Sequence, residues 1–152
     1  MPIDKVPAVK LLVDTLSSHN IPYQFIGEMA DAIHSQPPES VPASTHVMPQ
    51  TIQIELPQSQ MELASYVLRQ YKTSATQFAE SEGFRSVQFS LVIDGVNVTV
   101  SQLENSQVLT KNGWCNLTGY SDLNKSEVRV WHNTKLKVQP LAAREQVKAL
   151  LN

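Results

Sequence analysis

The sequence predicts an α/β fold of the α+β kind, a mixed β-sheet with helices packed against it. Three observations carry this. Thr51 to Leu56 alternates, placing Ile52, Ile54 and Leu56 on one face and Thr51, Gln53 and Glu55 on the other. Asp94-Gly95, a dipeptide favoured in two-residue type I′ turns, joins two alternating runs within residues 85–101. Segments before, between and after these strands repeat their apolar residues at helical spacing.

The first helix is expected over residues 4–18. Asp4 can cap it, Pro7 falls in its tolerated first turn, and Val9, Leu12 and Leu16 share a face. Asn20 and Pro22 stop it. Residues 23–26 form a short apolar strand ending at Gly27, and 28–34 a brief helix. Residues 36–50 hold Pro37, Pro38, Pro42 and Pro49 without periodicity, so they read as an exposed loop in a single domain spanning 1–152. After the Thr51 strand, Ser59 and Glu62 make a capping box for a helix whose buried stripe is Met61, Ala64, Val67, Leu68 and Tyr71. The Asp94-Gly95 turn sets the hairpin register: Ile93 opposite Val96, Leu91 opposite Val98, Phe89 opposite Val100 and Ser90 opposite Thr99. Residues 127–132 and 135–138 read as two more strands, and 140–151 as a closing helix.

Composition narrows the function classes. The 152 residues are 41% hydrophobic and 17% charged, as a packed domain requires, and carry a net charge of −2. That balance disfavours non-specific nucleic-acid binding, leaving Arg129, Lys135 and Lys137 as the strongest candidate for a local basic patch. Cys115 is the only cysteine, which excludes an intramolecular disulfide and a C-x-x-C metal site. Asp4, Lys5 and Lys10 interrupt any signal-peptide core, and no apolar run nears the roughly 20 residues that span a bilayer. A cytoplasmic chain with no membrane partner is expected. His19, His34, His46 and His132 lack metal-site spacing, and Cys115 reads as a buried small side chain. Trp114 and Trp131 read as core residues before base-stacking ones.

The element order and several local segments resemble the minimal nucleotidyltransferases, stand-alone relatives of nucleotide-transferring polymerase domains. The family runs from a strand into a Gly-Gly or Gly-Ser turn and a short helix; here that stretch is Phe25-Ile26-Gly27-Glu28-Met29-Ala30. Its next strand bears two acidic residues one position apart and ends in an apolar residue and proline. The counterpart is Thr51-Ile52-Gln53-Ile54-Glu55-Leu56-Pro57. A later hairpin strand supplies a third carboxylate, in the place of Gly95-Val96-Asn97-Val98-Thr99-Val100. Val138-Gln139-Pro140-Leu141 with Lys148 looks like the closing helix.

The resemblance implies a nucleotidyltransferase-like mixed sheet and a groove at Gly27, Glu28, Thr51, Gln53, Glu55 and Thr99. It also implies what the groove has lost. Active members hold two divalent cations on three carboxylates, which activate the attacking oxygen and neutralise phosphate charge. Thr51, Gln53 and Thr99 occupy those positions, and all three are neutral. Hard cations need anionic oxygens, so affinity for Mg²⁺ or Mn²⁺ should fall steeply. Glu28 replaces the second small residue of the turn and sets negative charge beside the phosphate site.

The expected function is therefore a catalytically degenerate nucleotidyltransferase-like module without cofactor, catalytic residue or metal ligand. It binds an unknown small molecule or protein partner through the former active-site groove. One alternative is an active metal-dependent nucleotidyltransferase whose carboxylates are rebuilt from Glu28, Glu55, Asp94 or Glu39, with Mg²⁺ or Mn²⁺. Another is a structural or assembly protein, a homo-oligomer with nothing in the groove. The resemblance adds a small helical toxin-like protein as one possible partner class.

Overall fold

The computed structural model describes residues 4–35 and 51–151. The expected loop at 36–50, with Glu39 and His46, lies outside the described residues. The first helix, α1 (Val6–Ser18), takes Pro7 in its opening turn at no hydrogen-bond cost. The helix starts two residues later than expected, so its N-cap residue is Lys5, without a side-chain cap bond, and Asp4 does not cap it: one residue outside, Asp4 Oδ1 accepts the Val6 N–H at 3.0 Å. Its end is a Schellman motif. Asn20 turns left-handed at φ 56°, with Asn20 N–H bonding Ser17 O at 3.1 Å and Ile21 N–H bonding Leu16 O at 2.9 Å.

Strand β1 (Gln24–Ile26) runs directly into α2 (Gly27–His34). Then come β2 (Thr51–Leu56), α3 (Gln58–Val67), β3 (Gln77–Ser81), β4 (Phe84–Ile93), β5 (Val96–Gln102), β6 (Gln107–Thr110), β7 (Gly113–Asn116), β8 (Glu127–Trp131), β9 (Thr134–Val138) and α4 (Leu141–Leu150). The described residues form a nine-stranded mixed sheet in the order β7-β6-β4-β5-β2-β1-β9-β8, with β3 also pairing β4. The β4–β5 hairpin has the register that its turn dictates, Ile93 to Val96 through Phe89 to Val100. Asp94 and Gly95 both take positive φ there, 50° and 79°.

One continuous core joins Leu12 and Leu16 of α1, Met29 and Ile33 of α2, and Met61 and Ala64 of α3 to the apolar face of the sheet. Ile52, Ile54, Phe89 and Val98 are essentially inaccessible, each stabilising the fold by about 1.5–3 kcal/mol. That burial is what holds β2 and the hairpin in one register.

Two expectations about α3 are corrected. The Ser59/Glu62 capping box does not form: the helix begins at Gln58 after Pro57, and neither side chain caps it. Glu104 Oε2 instead accepts the Gln58 N–H at 2.6 Å, a cap from 46 residues away that no local pattern announces. The apolar stripe also outlasts the helix, which ends at Val67. Leu68 is buried, Val67 and Tyr71 pack partly against the core, and Arg69–Tyr71 is a short 3₁₀ turn.

Strands β3, β6 and β7 were not anticipated. β3 is largely exposed on both faces and so has no apolar alternation, while β6 and β7 have four residues each. Trp131 is core as expected, but Trp114 is half-buried and stacked by Arg85, whose guanidinium carbon lies 4.0 Å from its ring centroid. Cys115 is half-buried rather than buried, because four-residue β7 reaches past the core. The basic patch dissolves in the β8–β9 register. Lys135 and Lys137 pair with Val130 and Val128, whereas Arg129 pairs with Leu136 on the opposite face. Arg129 meets Glu127 there at 2.7 Å. Among the described residues no helix is long and apolar enough to cross a membrane.

Candidate functional site

β2 lies between β1 and β5, and its two registers assemble the site. The parallel β2–β5 ladder sets Gln53 beside Thr99, Thr51 beside Asn97 and Glu55 beside Ser101. Residues paired across strands share a face, so Thr51, Gln53, Glu55, Thr99 and Ser101 all project the same way. The antiparallel β1–β2 ladder pairs Ile26 with Gln53, which brings the following turn at Gly27 against β2. Gly27 sits at φ +63°, and a Cβ there would overlap Gln53 Oε1. The Gln53 amide thus fills the space in front of the turn, where the resemblance implies a phosphate should approach.

A cavity of about 530 Å³ opens on this face. Gly27, Glu28, Thr51, Gln53 and Glu55 line it, five of the six groove positions expected from the sequence. Thr99 is the exception: it stands one strand over, next to Gln53, and is not part of the lining. The rest of the lining comes partly from the expected hairpin and closing helix and partly from the β3–β4 turn, β6 and the β7–β8 connection, which the sequence did not foreshadow. Phe84 opens β4 and Val108 lies in β6, while Glu82 sits in the β3–β4 turn at φ 52°. Leu117 and Ser121 lie on the connection from β7 to β8, and Arg144 and Val147 on α4.

Glu55 is the least expected feature. The alternation places it on a polar face, yet it is 2% exposed. Gln24 Nε2 donates to Glu55 Oε1 at 2.5 Å, and Ser126 Oγ donates to Gln24 Oε1 at 2.6 Å. Ser121 gives Glu55 a further side-chain hydrogen bond. Burial pushes the Glu55 carboxyl above the usual carboxylate range, and the Gln24 and Ser121 hydrogen bonds only partly oppose this. The covering segment contains the 3₁₀ turns Thr118–Tyr120 and Leu123–Lys125 and is further fixed by Gln139 Nε2 donating to Tyr120 O at 2.9 Å. Its residues lack any apolar period, so only their tertiary bonds reveal the role.

Arg144 brings a cation to the wall, but that charge is already matched. Its Nε and Nη2 reach Asp31 Oδ1 and Oδ2 at 3.0 and 3.1 Å, and Lys148 Nζ adds a contact to Oδ1 at 3.3 Å. Burial alone would raise the Asp31 carboxyl; the hydrogen bonds and charge of Arg144, then of Lys148, outweigh it and hold the group below its ordinary value. The ion pair ties α2 to α4. His34 strengthens the same junction, one ring nitrogen lying 2.8 Å from Gln139 O.

Chemically, the face offers hydroxyls, amides and isolated carboxylates. Among the described residues, no group of three His, Cys, Asp or Glu side chains is placed to hold a metal ion. Asp94 is a turn residue at the hairpin tip, outside the cavity lining.

No protein-family model and no curated protein sequence matches the chain. Solved structures do. A candidate nucleotidyltransferase from Thermotoga maritima superposes with a TM-score of 0.71 at 18% identity, covering 95% of this chain and 82% of that one. The lincosamide antibiotic adenylyltransferase LnuA, solved with lincomycin bound, gives 0.55 at 8% identity over 93% and 84%. The antibiotic-resistance factor ANT(2'')-Ia gives 0.56 at 9% identity over 92% and 67%. The shared feature is the fold, a mixed sheet with the helices disposed as described above.

Proposed function

From the premise of a nucleotidyltransferase-like fold, we propose that this chain no longer transfers nucleotides and instead binds a small ligand or protein partner through the former active-site groove. One observation carries the reading. The three positions that the resemblance assigns to metal-binding carboxylates are Thr51, Gln53 and Thr99, and they share one sheet face with Gln53 packed into the Gly27 turn. Neutral oxygens cannot offset the charge of two divalent cations. Glu28 and Glu82 at the cavity add negative charge where a triphosphate would need the opposite. The cavity persists although its metal chemistry is gone, which favours retained binding over a groove with no role. Fold alone does not set the ligand.

The test is a calorimetric titration of the protein with Mg²⁺ or Mn²⁺ together with ATP, CTP, GTP or UTP. No metal-dependent nucleotide binding is expected. Tight binding that requires the metal would overturn this proposal in favour of a working nucleotidyltransferase.

A further inference from the structure

Strand β3 leaves one edge of the sheet open. It hairpins onto β4 through Glu82-Gly83, a two-residue turn with both φ angles positive, 52° and 78°. That turn makes Ser81, Ala79 and Gln77 the residues that exchange ladder hydrogen bonds with β4. Phe78 and Glu80 therefore aim their N–H and C=O groups away from β4, and among the described residues no other strand pairs with β3. Natural edges are commonly blunted by lysine, proline or a bulge. Gln77–Ser81 has none of these: its register with β4 is unbroken, and Phe78 is 62% exposed.

The strand is also complementary to itself. When two copies pair antiparallel about a two-fold axis, outward-bonding residues must meet outward-bonding residues, which leaves three registers. Glu80 opposite Glu80 sets like charges against each other. Phe78 opposite Phe78 carries Glu80 past the end of the strand, onto Thr76. Phe78 opposite Glu80 uses all five residues of β3. Ala79 then meets Ala79 at the axis, where a pair without hydrogen bonds brings the Cα atoms to about 4.5 Å and a small side chain fits. Gln77 meets Ser81, and the two can hydrogen-bond. Charge favours the same register. Arg85 shares the face of Phe78 and Glu80, with its guanidinium carbon 6.0 Å from the Phe78 ring, and makes no ion pair among the described residues. Glu80 of the second copy stands opposite Phe78 on that face, about 9.6 Å of backbone spacing from Arg85, a gap that two long side chains span.

We propose that this chain forms a two-fold dimer through the open edges of β3, paired antiparallel about Ala79. Backbone hydrogen bonds join the copies at both Phe78–Glu80 pairs, and the two nine-stranded sheets become one continuous sheet. Ser81 lines the cavity, and residues paired across strands share a face, so Gln77 of the second copy arrives at the cavity rim. Five residues a side is small beside a standard interface, so association is weak and depends on concentration. The dimer stands apart from the question of whether the groove transfers nucleotides.

Sedimentation of the full chain from about 10 µM to about 1 mM should pass from monomer to dimer. Phe78→Pro removes only an outward N–H, leaves the β4 ladder intact and should weaken the dimer at least about tenfold. Glu80→Lys, at an exposed position, should keep the fold by circular dichroism and weaken the dimer about tenfold, because it adds a cation near Arg85. Cross-linking reads the register in a Cys115→Ser background. Under mild oxidation Ala79→Cys should form a disulfide dimer, because about 4.5 Å between Cα atoms lies within disulfide range. Gln77→Cys should not, because the two copies of that residue lie about 13 Å apart. A monomer at about 1 mM overturns the proposal and leaves the edge to a strand of a different protein. A dimer that neither Phe78→Pro nor Glu80→Lys weakens overturns it in favour of another surface, and equal cross-linking at positions 77 and 79 overturns the pairing about Ala79.

Discussion

The Gln53 side chain lies against the Cα of Gly27, so closely that a Cβ at position 27 would overlap Gln53 Oε1. Two residues 26 apart in sequence thus share one volume. Gly27 is needed twice over there, once for its left-handed φ of +63° and once for the room.

Gly27→Ala should therefore lower stability by about 1–2 kcal/mol from the backbone alone. The steric part is relieved by moving the flexible end of Gln53, so it should be smaller. Urea denaturation of Gly27→Ala with and without Gln53→Ala separates the two. The penalty should shrink only slightly in the Gln53→Ala background. A penalty that vanished there would mean the overlap, and not the φ angle, dictates glycine.

Restoring acid at the three groove positions tests whether their placement is that of a metal site. In Thr51→Asp, Gln53→Asp, Thr99→Asp, two of the new carboxylates are cross-strand neighbours and the third lies two residues along the same face. Close carboxylates resist ionising together, and a rise of one pH unit in a single one corresponds to about 1.4 kcal/mol lost near neutrality. Mn²⁺ at about 100 times its Kd should return about 2.7 kcal/mol, because only the folded chain presents the site. Thermal melts with and without Mn²⁺ read both effects. A triple variant as stable as the parent and indifferent to metal would show that the three side chains do not converge.

Glu55 sets a pH dependence whose sign follows from its burial. Its folded-state carboxyl titrates above the ordinary value, so the folded chain keeps a proton that the unfolded chain gives up. Stability is full below the unfolded value of about 4.3 and falls as pH rises from there through the raised folded value. Glu55→Gln keeps an oxygen for Gln24 Nε2 and has no charge to desolvate. Its stability should stay level across that window and equal or exceed the parent's at neutral pH, measured as urea midpoints from pH 4 to pH 8. A variant less stable at every pH would mean that the ionised carboxylate is itself a structural requirement.

The legible parts of this molecule were those whose forces are local. A dipeptide such as Asp94-Gly95 dictates a turn through the φ angles it tolerates, and the register from Ile93–Val96 to Phe89–Val100 follows from it. Alternation in Thr51–Leu56 reported a strand with one buried face, because that face had to meet a core. With the family resemblance, these signals led to the groove positions, five of which line the cavity. What the sequence withheld depends on partners far along the chain. Glu55 stands at a position that reads as solvent-facing. It is buried because Gln24 comes alongside in β1, and Ser121 arrives on a segment with no periodic signal. Glu104 caps α3 in place of the nearby Ser59 because the chain after β5 returns to the helix start. Burial of a polar group and choice of a cap are decided by which atoms compete for each donor and acceptor once water is excluded. Local spacing cannot carry that information; the β1–β2–β5 arrangement and the covering segment do.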